Sequence, residues 1–289
     1  MLEEASAFAR CGGDLLFSSA LPSSGDRREG LRRALEGCLS GDGAPSQALV
    51  DNIEHQVVNA SWIDPKRIAL PRVAGTVEPL QYLCAERRAV WQDMQRLKTC
   101  AHEWETAPVG FLRVRPHDER KLAERLLESQ MCVLVDVSLL PRTPSGRLLV
   151  SGMFAVPKDA DADRLIIDRR PQNHTEKRLN WLHLPSPHQL RQLVLGPHEI
   201  LRGSGEDLNN YYYALAHTEE WTLQNAVGRL VTGPLAQKHG GDPSRSYALC
   251  LRVFAMGDHN ACDVAQAVHE GVLERGGALM QEPLRYGRP

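Results

Sequence analysis

Between His117 and Asp168 the spacing of apolar residues changes from that of a helix to that of strands, and this change restricts the chain to a mixed α+β fold. Asp118 to Ser129 carries Leu122, Leu126 and Leu127 at helical intervals. The run MCVLVDVSLL (131–140) follows, and β-branched and apolar residues in such a run predict a strand. A turn at PRTPSG (141–146) leads to a second strand over Leu148–Val156. The polar turn KDADAD then leads to a third, RLIID (164–168). The expectation is one helix followed by an antiparallel meander of three strands.

Elsewhere the pattern is mainly helical. Residues 18–26 read as loop, and Asp26 stands three residues before Glu29, a capping-box spacing ahead of Leu31, Leu35 and Leu39. A helix is expected over 46–59 and a long one over 76–99, where Leu80, Leu83, Cys84, Val90, Trp91, Met94 and Leu97 form a broken stripe. Residues 181–202 read as helical or irregular, 211–215 as strand or helix, 232–246 as exposed loop, and 261–274 as a helix. The expected organisation is a helical region of unknown role (1–105) and an α+β region (106–289).

Apolar residues at 42% and charged residues at 24% are ordinary for a folded protein. The formal net charge of -2 gives no global basic field, so nucleic-acid binding would need a local patch. Residues 141–202 supply one, with ten Lys/Arg against six Asp/Glu and four histidines. A solvated charged face has the same composition. No apolar run approaches the ~20 residues of a membrane helix, and the N-terminus lacks the apolar core of a secretory signal. Seven scattered cysteines, an odd number without a CxxC pair, predict reduced thiols in an intracellular protein. Walker A, GxSxG and HExxH motifs are missing from the sequence. Asp159, Asp161 and Asp163 have the alternation that opens a calcium loop, but Arg164 and Arg170 stand where that loop needs Gly and Glu. His259, Cys262 and His269 lack the paired spacing of a structural zinc site.

Three segments in order carry candidate chemistry. FAVPKDADADRLIIDRRPQN (154–173) contains Lys158 and an R-x-x-x-D-x-R-x-x-N frame made of Arg164, Asp168, Arg170 and Asn173. GSGEDLNNYYYAL (203–215) places Asp207 five residues before Tyr212. LRVFAMGDHNACDVAQAVHEGVL (251–273) places Met256 and Gly257 between a strand and a helix, with Gln266 nine residues on. Together the three resemble the reverse-transcriptase family, of retroelement type, over roughly residues 110–289. The resemblance implies fingers and a partial palm, a template–primer of RNA or DNA, a deoxynucleoside triphosphate, and Mg²⁺ in the complete enzyme. It implies that Lys158 and Arg164, with Arg170, hold the triphosphate, where a point charge and a bidentate fork suit phosphate oxygens. It makes Asp207 the catalytic metal ligand, because Mg²⁺ prefers hard carboxylate oxygens. Tyr212 becomes the ring under the sugar, and Met256, Gly257 and Gln266 lie at the nascent base pair, where glycine permits close backbone approach.

Plainer readings stand beside these. Lys158 fits a solvated turn, Asp207 a helix N-cap, and the tyrosines partial core burial. Arg170 also fits a pairing with Asp168, and the Met-Gly turn fits an ordinary strand–turn–helix capped by Asn260. Relatives end this site with two adjacent aspartates, and the 289 residues hold no such pair; the chain reaches PLRYGRP about where that hairpin is due. The sequence therefore leads to a truncated reverse-transcriptase-like protein of nuclear or cytoplasmic location, inactive by itself. The alternative is a non-catalytic nucleic-acid-binding module or a degenerate remnant.

Overall fold

The computed structural model describes residues 60–182, 184, 194–198, 200 and 207–278. The helices expected over 26–39 and 46–59, and most of 181–202, lie outside these residues. Trp62–Ala155 and Asp163 onward belong to one compact unit, so residues 62–105 share it with the α+β part. Val156–Ala162 belongs to a separate unit and is considered by itself.

The stripe over 76–99 does not form one long helix. It is cut into α1 (Pro79–Tyr82), α2 (Ala85–Gln92) and α3 (Met94–Leu97). Leu83 and Cys84 are extended, with ψ of 139 and 161. Asp93 then restarts the chain by accepting the Arg96 N–H at 3.1 Å. The apolar spacing survives the cuts: Leu83, Trp91 and Leu97 all reach one core. A 3₁₀ turn (Ala101–Thr106) precedes α4 (Pro116–Glu128), which begins on a proline and buries Leu122, Ala123 and Leu126.

The expected three-strand meander is replaced by two sheets. β1 (Cys132–Asp136) ends in a 3₁₀ turn (Val137–Leu139), while β2 (Gly152–Pro157) pairs with β3 (Asp163–Asp168). β1 instead pairs antiparallel with β5 (Tyr247–Leu251), in register from Cys132–Leu251 to Asp136–Tyr247. The other side of β5 is filled by β4 (Ala226–Val231), giving the order β1-β5-β4. Ser151 forms a parallel bridge to Val227, so the stretch before β2 lies along β4 rather than β1. Period-2 patterning marks strands but does not name their partners, which explains the difference.

β4 has no clear signal in the sequence because Gly228 and Arg229 interrupt its apolar run. Its pairing with β5 is irregular between Val227 and Val231, and Gly228 there has φ +70. Short helices fill the remaining connections: α5 (Arg170–His174), α6 (Tyr211–Ala214), α7 (Glu219–Leu223) and α8 (Gly233–Lys238). α8 falls inside the stretch expected to be loop, and it forms because Leu235 and Ala236 find cover in the core. α9 (Ala261–Arg275) matches its expectation and buries Val264, Ala265, Ala267 and Val268.

One core lies among the first strands, α4 and the sheet, with Ile63, Leu126, Met131, Leu165, Ile167 and Leu251. A second lies under α9 and is aromatic. Trp91 stacks on Trp221 at 4.6 Å between ring centroids and on Phe254 at 5.5 Å. Such pairs add about 0.5–1.5 kcal/mol beyond burial of their area. The fold is thus mixed helix and antiparallel sheet, as its class was read.

Candidate functional site

The three sequence segments, separated by up to about a hundred residues, meet around the turn at Met256–Gly257. β3 delivers the first: the Ile167 N–H donates to the Met256 carbonyl at 3.1 Å. α5 delivers Asn173, whose Nδ2 donates to the Gly257 carbonyl at 2.8 Å. Gly257 has φ +108, and a Cβ built there would lie 2.0 Å from the Ile167 oxygen. Only glycine lets the two backbones approach this closely.

The second segment enters through its tyrosines. Residues 207–210 are irregular and turn ahead of α6, and the strand expected to lead into Asp207 falls on 201–206, outside the described residues. The helical turn of α6 begins at Asn210, in the left-handed region at φ 52; Asp207 is therefore not its N-cap. Tyr211 Oη donates to the Ala265 carbonyl at 2.8 Å, and Tyr213 Oη to the Leu165 carbonyl at 3.1 Å. Tyr212 Oη lies 2.9 Å from Cys262 Sγ at the start of α9. Burial pushes the Tyr211 and Tyr213 hydroxyls up to about 12 and raises that of Tyr212 as well. All three tyrosines stay neutral and act as hydrogen-bonding, space-filling groups. Beyond α6, Ala216 bridges Val253, tying this segment to the strand end before the turn.

The frame's own polar residues divide into two kinds. Asp168 is buried and accepts from the Phe111 N–H at 2.6 Å and from Arg170 at 2.7 Å through both Nε and Nη2. Burial alone would raise its carboxyl, but the Arg170 fork and the Phe111 N–H outweigh that and hold it below the ordinary range. Arg170 is thus committed to Asp168, although its side chain is 62% exposed and its outer edge is reachable. Arg164 is exposed on β3, between the buried Asp163 and Leu165. In the separate unit, Lys158 is exposed, and its backbone N–H closes the turn on the Ala162 carbonyl at 2.9 Å.

Asp207 is exposed, so it presents a carboxylate to solvent. Among the described residues no three acidic, His or Cys side chains gather as a metal ion requires. Gln266 lies on α9, where its Nε2 donates to Glu270 at 3.1 Å, and Glu270 pairs with Arg87 of α2 at 3.0 Å.

The residues that sequence reasoning missed are charged and buried. Arg169, between the two arginines singled out, has a side chain only 2% exposed. It donates to both Glu176 oxygens at 3.0 Å, to Asn173 Oδ1 at 3.1 Å and to Asn225 Oδ1 at 3.0 Å, and lies 3.3 Å from Asp258. Lys98 closes the group, 3.2 Å from Glu176. Burial raises Asp258, whereas Arg169 and Lys98 together pull Glu176 down against its burial. Asn260, expected as a plain cap, instead uses its side chain to accept from Leu179 N and donate to the Lys177 carbonyl. The missed signal was a second arginine directly before Arg170, together with an acid directly after the turn glycine. Compared with known proteins, the chain matches no family model and no curated protein.

Proposed function

We propose that this chain carries the fingers and first palm segments of a reverse-transcriptase-like polymerase, and that these residues by themselves bind a template–primer without extending it. The observation that supports this reading most is the meeting of three separately chosen sequence segments at one glycine turn, through Ile167–Met256, Asn173–Gly257, Tyr213–Leu165 and Tyr212–Cys262. Exposed Arg164 remains available to phosphate, Tyr212 to a sugar, and Asp207 to Mg²⁺. Two-ion phosphoryl transfer needs several carboxylates around ions ~3.5–4 Å apart. The 289 residues contain no adjacent aspartates, so Asp207 would hold such a pair only together with carboxylates from elsewhere.

Binding is expected to be electrostatic. Of the ten basic and six acidic residues in 141–202, Arg169 with Glu176 and Arg170 with Asp168 are mutually engaged. Eight basic and four acidic residues remain, and an excess of four implies a log–log salt slope of roughly -3 to -4. The test is fluorescence anisotropy of a labelled RNA/DNA template–primer across a salt series, with primer extension run alongside. The reading expects salt-sensitive binding and no extension. A flat salt titration, or no binding at low salt, would sink it.

A further inference from the structure

We infer that Arg169 is a positioning residue: its buried guanidinium fixes the Met256–Gly257 turn by holding the groups on both sides of it. The inference rests on the reading above only for what the turn is used for. The geometry stands by itself.

A guanidinium has five N–H donors in a rigid fork. Arg169 directs them to three polypeptide segments at once. Two reach Glu176 just beyond α5, and Asn225 before β4 accepts from Nε and Nη2. Nη1 also faces Asn173 and Asp258. Asn173 is the residue whose amide grips the Gly257 carbonyl, and its Oδ1 accepts from the His259 N–H at 3.4 Å. Asp258 follows Gly257 directly and accepts the Asn260 N–H at 2.8 Å, which shapes the entry into α9. The turn is therefore held at its glycine through Asn173 and one residue later through Asp258, and Arg169 orients both holders.

Arg169 follows β3, whose Ile167 N–H donates to Met256, so the same strand end contacts the turn by backbone and by side chain. Lys98, which lies past α3, neutralises the second charge of the cluster and stands 5.4 Å over the Trp221 ring. Two cations and two carboxylates with side chains at most 8% exposed make a balanced group. Replacing such a group by apolar residues is often neutral for stability. Conformational specificity at the turn is the property that only the charged arrangement supplies.

The experiment uses Arg169→Lys, which keeps the charge and loses the fork, and Asp258→Asn, which keeps the shape and loses the charge. Amide hydrogen exchange is followed in the free full-length protein. In both variants, exchange at Ile167 and across 257–260 is expected to accelerate at least about tenfold, while amides of β1 and β5 change by less than about twofold. Exchange that rises uniformly, or nowhere, overturns the positioning role and leaves a general contribution to stability. Template–primer affinity is measured in parallel. Wild type that binds no template–primer but gives the local exchange pattern in its variants overturns the polymerase reading and leaves the positioning role standing. Wild-type binding with uniform exchange does the reverse.

Discussion

Replacing Glu176 by glutamine should be among the most damaging single changes outside the apolar cores. Its side chain is 2% exposed and accepts both Arg169 bonds at 3.0 Å and the Lys98 contact at 3.2 Å. The amide would leave two buried cations facing Asp258 as their one remaining anion in the cluster. Breaking a buried pair by removing one partner costs about 3–5 kcal/mol. For a chain of this size that corresponds to a Tm decrease of roughly 6–20 °C. The pH dependence gives the same scale. Arg169 and Lys98 outweigh burial and lower Glu176 from 4.5 to about 2. A shift of that size represents roughly 3 kcal/mol of stability. Because the folded value is depressed, this stability is present above pH 4.5 and is lost as pH falls towards 2. The assay is thermal denaturation followed by circular dichroism from pH 7 to pH 3, with Glu124→Gln as a surface control. Glu124 pairs with a 68% exposed Arg120, and its loss should shift Tm by no more than ~2 °C. A Glu176→Gln protein melting within ~2 °C of wild type at pH 7 would show that the cluster is not the buried ion group described.

Three further outcomes follow from other parts of the molecule. His217 packs at a tilt against Phe254, 4.1 Å between ring centroids, and burial, then Arg169, lowers it to about 3, so the folded state favours the neutral ring. Its contribution is complete above pH 6.5 and declines below it, by at most about 1.4 kcal/mol per pH unit and less because the residue keeps some exposed surface; His217→Phe should flatten the Tm profile between pH 6.5 and 4, and an unchanged profile contradicts this. Gly257→Ala should cost at least ~2 kcal/mol, from its φ of +108 and the Cβ 2.0 Å from the Ile167 oxygen, and an unshifted urea midpoint argues against that close approach. Arg164→Ala, on an exposed side chain, should leave Tm within about 1–2 °C yet reduce the salt slope of template–primer binding by about one; an unchanged slope removes Arg164 from the phosphate-contacting surface.

The parts of this fold that the sequence discloses are those governed by local periodicity. α4 is found within two residues of its expected bounds because Leu122 and Leu126 mark its buried face, while its start on Pro116 precedes the expected Asp118. α9 is found for the same reason. Partner choice is not local: nothing in MCVLVDVSLL says that Cys132 will lie against Leu251 rather than against β2. The stripe over 76–99 misleads because Leu83, Trp91 and Leu97 reach one core from a chain cut into three short helices, as they would from one long helix. At the candidate site, spacing found the segments but not their contacts. Asn173 and Gly257 were selected, and they meet. Spacing also points to Gln266, and its Nε2 bonds Glu270 one helical turn further along α9. Arg169 and Asp258 went unnoticed because charged residues are read as solvent-facing by default, and only tertiary packing shows that these two are enclosed.

The most direct measurement is a photo-cross-linking map with a template–primer carrying a photoreactive base at the templating position. Covalent adducts found by mass spectrometry on the peptides holding Met256–Cys262 and Tyr211–Tyr213 are what this account predicts. Adducts confined to α7, α8 or other surfaces away from the Gly257 turn would contradict it.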